Sequence, residues 1–195
     1  SQVAKLYAQA AADDRAALAE FYAARGYRPV WMTHDGPTEK ASALIAALAE
    51  APAYGLDPAL IPAPDLAKPG AEEAVNSEHL AETEIGLSMA ALTYARHARG
   101  GRIPQPAELL NSNLDRKPQL HSPVVVMSDL AEAKDIRAAM AGLHPVHPQF
   151  EKLRQALLKE TGGNGRGKLS ANAKRIRANM EFWRWMWDDL GELYV

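Results

Sequence analysis

Apolar residues three and four positions apart, set among alanines, run through most of the chain, and this spacing predicts amphipathic helices in place of strands. The first helix is expected from about Gln2 to Ala24, with Leu6, Leu18, Phe21 and Tyr22 on its apolar faces. Asp13-Asp14 is suited to capping a second helix within that stretch, and Gly26 stops it. Arg28-Pro29-Val30-Trp31-Met32 is short, aromatic and interrupted by proline, so it predicts at best an edge strand or an extended connector. His34-Asp35-Gly36-Pro37 reads as a turn. Helical spacing returns from Thr38 to Glu50 through Leu44, Ile45 and Leu48, and ends before Pro52 because the residue preceding a proline disfavours helical dihedrals. The proline-rich stretch from Pro52 to Gly70 carries the apolar anchors Tyr54, Leu56, Leu60, Ile61 and Leu66, which predicts a long ordered loop.

A strong helix is expected from about Ser77 to Arg99. Leu80, Leu87, Ala91, Tyr94 and Ala98 share one face and Ile85, Met89 and Leu92 widen it, the signature of a central, mostly buried helix ended by Gly100-Gly101. Three shorter helices are expected near Ser122 to Leu130, Glu132 to Leu143 and His147 to Lys159, with Pro123 and Pro148 in first turns. Thr161 to Gly167 holds four glycines in seven residues, the composition of a flexible linker. The final helix, about Ala171 to Asp188, lays Ile176, Met180, Trp183 and Trp187 in a stripe that must find a partner, for which the Ser77 to Arg99 helix is the expected surface. The fold class is therefore all-α: one helical domain of about seven helices with long Pro-rich loops. Residues 1–160 form its first part, 161–169 a Gly-rich linker and 170–195 a closing Trp-rich helix.

Composition narrows the function. The 195 residues are 47% hydrophobic and 24% charged, enough for a substantial core. With 22 Lys and Arg against 24 Asp and Glu the net charge is −2, so no global positive field gathers nucleic acid. No apolar run approaches the roughly 20 residues that span a bilayer. The absence of cysteine excludes disulfides, thiolate metal sites and a thiol nucleophile from this chain.

Candidate chemistry is sparse. His144-Pro145-Val146-His147 places two imidazoles three residues apart, but the prolines put them in a turn, so they do not share a helical face as metal ligands require. His97, near a helix C-terminus, is expected to support that end through the macrodipole. The adjacent carboxylates Glu72-Glu73 and Asp188-Asp189 do not face one another on a helix and read as solvated surface. Lys168, Lys174, Arg175 and Arg177 make the start of the last helix basic, and a solvated face is the expectation there as well. No cofactor is implied. The densest signal is the segment from Asn179 to Val195, where aromatics two residues apart point around a helix, so that Trp185 faces away from Trp183 and Trp187 and contacts something else.

Asn179-Met180-Glu181-Phe182-Trp183-Arg184-Trp185, followed by Leu190-Gly191 and Tyr194-Val195, resembles the signature that closes the scaffold region of YcbB-type L,D-transpeptidases. Phe21 to Trp31, Tyr54-Gly55-Leu56-Asp57-Pro58, Leu92-Thr93-Tyr94 and Gly101-Arg102-Ile103 resemble further segments of that family, so the likeness runs from about Leu18 to Val195. The resemblance implies a helical scaffold domain, interrupted in the family by a peptidoglycan-binding insertion before the closing helix and followed by a YkuD-like catalytic domain that carries a cysteine nucleophile. Here the glycine-rich stretch stands where the insertion is expected, and the chain ends where the catalytic domain is expected to begin. The implied role is non-catalytic: a scaffold that positions the catalytic domain of a periplasmic enzyme forming 3→3 peptidoglycan cross-links, with Arg184, Trp185 and Tyr194 as interface residues. Its partners would be the YkuD-like domain and, beyond it, peptidoglycan or another envelope protein. Two rivals are an independent peptidoglycan- or partner-binding helical module and a self-contained helical enzyme using His144, His147 and nearby carboxylates.

Overall fold

In a computed structural model, residues 2–66, 77–103, 118–166 and 169–185 are described, with side chains from residue 8 onward. They hold seven α-helices: α1 (Gln2–Ala24), α2 (Glu39–Ala49), α3 (Ser77–Ala98), α4 (Pro123–Glu132), α5 (Ile136–Ala141), α6 (Pro148–Glu160) and α7 (Ala171–Trp185). A two-residue antiparallel hairpin pairs β1 (Met32–Thr33) with β2 (Gly36–Pro37), and single 3-10 turns cover Ala51–Tyr54 and Pro58–Leu60. The chain is thus helical, as the periodicity predicts. Among the described residues no helix is long and apolar enough to cross a membrane.

The caps explain most boundaries. Thr38 accepts the Ala41 N–H at the start of α2, Asp135 accepts that of Ala138 at the start of α5, and the His147 ring accepts that of Gln149 at the start of α6. Pro123 and Pro148 occupy first-turn positions, where their missing N–H leaves no bond unmade. One expected boundary does not occur: α1 runs through Asp13-Asp14 without a break. Asp14 is buried and bonded to Arg96 of α3 at 2.7 Å, while Asp13 accepts from Gln9 one turn back, so neither side chain is free to cap a new helix.

The main core lies among α1 to α5. Leu18, Phe21 and Tyr22 of α1 and Leu44 and Leu48 of α2 meet Leu87, Ala91 and Tyr94 of α3, with Val126, Met127, Leu130, Ile136 and Met140 closing it. Ile85, expected on the buried face of α3, is instead 41% exposed. At the centre is Glu84 of α3, a buried carboxylate. Its Oε1 accepts from the Tyr22 hydroxyl and the Val30 N–H, both at 2.6 Å, and its Oε2 from the N–H groups of Trp31 at 2.9 Å and Met32 at 2.8 Å. Ser88, one turn on, accepts from the indole of Trp31 at 2.8 Å. The proline-interrupted segment therefore does not need a neighbouring strand. Its donors are satisfied by a side chain, and Trp31 is fully buried as a result.

A smaller cluster joins α6 and α7 through Phe150, Leu157, Ala173, Ile176 and Met180. The closing helix packs on α6 and on the Ala51–Gly55 turn, and not along α3 as its stripe suggested; past the α3 terminus Trp185 and Arg184 lie against Gly100 and Glu181 pairs with Arg102 at 3.7 Å. Met180 of α7 lies against Gly55 at the end of that turn. The glycine-rich segment, expected as a flexible linker, is over residues 161–166 a hydrogen-bonded turn. Gly165 donates to the Thr161 hydroxyl, and a Cβ on it would lie 2.1 Å from the Pro52 carbonyl oxygen.

Glu84→Ala leaves the Tyr22 hydroxyl and three backbone N–H groups without their acceptor. Stability should fall by at least about 3 kcal/mol, since each unmatched buried donor costs roughly 1–3 kcal/mol. The corresponding loss in Tm is roughly 6–12 °C for a chain of this size. Glu82→Ala, an exposed carboxylate two residues away, should change stability by less than about 0.5 kcal/mol. Thermal melts followed by circular dichroism decide the matter, and equal losses in the two variants would remove Glu84 from its central place.

Candidate functional site

The residues singled out by the closing motif converge at the last turns of α7. Arg184, expected as an interface residue, is buried within the chain: its Nη2 donates to the Tyr54 carbonyl, its Nη1 to Glu181 Oε2 at 3.2 Å, and its guanidinium lies over the Phe150 ring at 5.1 Å. That is a correction. A buried guanidinium must be matched by acceptors, and the carbonyl ending the Ala51–Tyr54 turn supplies one that the sequence does not advertise. Burial lowers its pKa, while the negative charge of Glu181 opposes that. Trp185 is half-buried against Gly100, and it does face away from Trp183, which stacks on His147 at 4.2 Å. Trp185 Nε1 and Arg184 Nε are buried donors with no acceptor among the described residues. Tyr194, Trp187, Asp188-Asp189, Glu72-Glu73 and Lys168 lie outside the described residues. Of the basic residues near the start of α7, Lys174 and Arg175 are exposed, whereas Arg177 donates to the Gly55 carbonyl at 3.0 Å.

The histidines have separate environments. His144 is buried between Tyr54, stacked at 4.1 Å, and Phe150, stacked at 5.9 Å, with Tyr94 meeting its edge. Burial first, and then the charge of Arg184, holds its pKa well below the ordinary histidine value, while burial pushes the Tyr94 phenol up. Both groups are therefore neutral, and the Tyr94 hydroxyl shares a hydrogen bond with His144 Nε2 at 2.7 Å whose direction is set by the imidazole tautomer. His147 is spent on capping α6 and stacking on Trp183. Among the described residues no group of three or more His, Asp or Glu is arranged to hold a metal ion. His97 was expected to support the α3 terminus as a cation. Instead it is buried there and its pKa is lowered to about 4, by desolvation first and by Arg96, Arg102 and Arg184 after it. Neutral at physiological pH, it adds no charge to the helix end.

A second feature had no signal in the periodicity. Between α1, the 27–34 segment and the first turns of α3 lies a groove of about 730 Å³, lined by Leu18, Tyr22, Met32, Leu80 and Ile85, with Arg15 at its edge. Its existence follows from Ile85, which points outward because Glu84, beside it, takes the inward position. Tyr27 stands at the rim, 76% exposed and in a left-handed conformation with φ 58°.

Among the described residues, helices joined by side-chain-to-carbonyl bonds form a helical domain whose buried polar residues hold segments together. The family model named Scaffold domain matches residues 16–157, most of the chain, and the chain belongs to that family. No curated protein and no solved structure matches it.

Two outcomes test this geometry. Gly100 has φ 84°, and a Cβ there would come within 2.6 Å of Trp185 Cδ1, so Gly100→Ala should displace the indole. A red shift of tryptophan emission, with a loss of stability on the order of 1–2 kcal/mol from the left-handed backbone alone, is expected. The unchanged spectrum would place Trp185 elsewhere. His97 gives a pH dependence: the unfolded chain takes up a proton near the ordinary histidine value of about 6.5 but the folded chain only near 4. The contribution is fully present above 6.5 and is lost as pH falls towards 4, by up to about 1.4 kcal/mol per pH unit. Urea denaturation of His97→Gln should show a shallower decline over that window, and parallel profiles would assign the decline to other groups.

Proposed function

We propose that this chain is the scaffold of a YcbB-type L,D-transpeptidase, a non-catalytic domain that holds the YkuD-like catalytic domain in a fixed orientation for 3→3 cross-linking of peptidoglycan in the periplasm. The observation that carries the reading is the meeting of the resembling segments. Arg184 of the closing motif donates to the carbonyl of Tyr54, and Arg177, one turn before the motif's Met180, to that of Gly55; Trp185 covers Gly100; and Tyr94 reaches Tyr54 through His144. Residues far apart in sequence thus share a single joint, which is what a motif selected for holding α7 in place requires. In this reading Arg184 is a positioning residue behind the joint, Trp185 and Tyr194 are its contact residues, and the covalent step belongs to the cysteine-bearing domain. The family match supports the scaffold role, and the buried donors of Arg184 and Trp185 support an end of the domain that is completed by further contacts.

A second reading, an independent module that binds peptidoglycan or another envelope protein, is favoured by the exposed Lys174 and Arg175 at the start of α7. Titration by calorimetry separates the two. An isolated YkuD-like catalytic domain supplied in trans should bind saturably, and Trp185→Ala should weaken it by about tenfold, equivalent to roughly 1.4 kcal/mol. Purified peptidoglycan should not bind. Binding to peptidoglycan alone would replace the scaffold reading by the second one.

A further inference from the structure

We infer that the groove between α1 and α3 is a binding site for an anionic amphiphile, a single acyl chain lying along Leu18, Tyr22, Leu80 and Ile85 with its charged head at Arg15. The site stands apart from the joint at the end of α7, and its failure leaves the proposed function untouched.

Size is the first argument. About 730 Å³ falls within the range of pockets that hold small ligands, and the cavity is walled on three sides by α1, α3 and the 27–34 segment. The second is the poverty of available polar groups. The Tyr22 hydroxyl is already bonded to Glu84 and Ser88, and both oxygens of Glu84 are occupied by Tyr22 and the N–H groups of Val30, Trp31 and Met32. The floor has nothing polar to offer an entering group. An extended peptide would bring main-chain donors and acceptors into a place that cannot match them, whereas a hydrocarbon chain brings none.

Charge selects the head. Arg15 and His34 are the basic side chains in the lining, and Glu84 is its carboxylate. Glu84 is buried with its lone pairs taken by four donors, whereas Arg15 is exposed. Asp14, the electrostatic neighbour of Arg15, is already paired with Arg96 at 2.7 Å. The Arg15 guanidinium at the edge is thus the charge that an entering head meets first. Arg15, Leu18, Ala19 and Tyr22 follow one another along the same face of α1, so the guanidinium marks one end of an apolar strip about 10 Å long. Tyr27 adds a third sign. Its left-handed backbone belongs to the turn that ends α1, where its N–H donates to the Tyr22 carbonyl at 2.7 Å, and this turn leaves an exposed phenol ring at the rim, where it can lie over a bound chain.

The test is calorimetric titration of the full chain with sodium laurate below its micellar concentration, beside dodecyltrimethylammonium, which has a similar tail and the opposite head charge. Laurate should saturate at one site per chain and bind at least tenfold more tightly than the cation. Arg15→Glu should remove or reverse that preference. Ile85→Glu should abolish binding of both, and since Ile85 and Arg15 are exposed, melting curves should show both variants folded. No saturation with laurate, equal affinity for the two heads, or laurate binding indifferent to Ile85→Glu would each overturn the inference. Self-association of the chain that is lost in Ile85→Glu, without laurate binding, would overturn it in favour of a second copy seated in the groove.

Discussion

The Glu84 carboxylate sits inside the protein with four donors aimed at it, and the arrangement of the first half of the chain follows from satisfying them. A buried carboxylate is tolerable only when its lone pairs are matched. Here three consecutive backbone N–H groups, from Val30 to Met32, and one phenol do so. The 28–32 segment can therefore run through the interior without a sheet, Trp31 can be fully buried, and the two-residue hairpin that follows delivers Thr38 to the start of α2. Thr38 closes the circuit: its N–H donates to the Trp31 carbonyl and its hydroxyl to that of Val30.

The second half obeys the same rule with the signs exchanged. There a buried cation, Arg184, finds a backbone carbonyl and a carboxylate, and an aromatic cage of Tyr54, Phe150 and Tyr94 surrounds a neutral His144. The small α6–α7 cluster would be a thin core by itself. It is joined to the larger one because Tyr94 belongs to α3 and Tyr54 to the turn that follows α2, so that His144 links three parts of the chain through one ring. Both halves place charge in the interior to organise irregular backbone.

The helices were legible because alanine-rich segments with a 3.6-residue apolar spacing admit few alternatives, and the proline and glycine positions bounded α2, α3, α4 and α6 closely. What could not be read was which polar residues would turn inward. Asp14 looked like a cap and is half of an ion pair; His97 looked like a surface cation and is buried and neutral; Arg184 looked like a contact residue and is an internal brace. Asp14 depends on a partner 82 residues away in sequence, Arg184 on a backbone carbonyl, which has no letter in the sequence, and His97 on the packing that takes it out of water. The groove escaped for a related reason: Ile85 fits the helical stripe as well as Leu87 does, and only the inward turn of Glu84 decides which of them meets solvent.

The closing helix is pinned at Tyr54, at Gly55 and at Gly100, three points of backbone that belong to two other segments of the chain. Mechanically this makes α7 a braced lever and not a hinge arm. It cannot twist about its own axis without breaking bonds on one side or driving an indole into a glycine on the other. A pull applied beyond Trp185 would be transmitted into the turn after α2 and the end of α3 together, so the fold should yield by shedding α6 and α7 as one piece, and below that load the direction in which α7 points is set by the body of the domain.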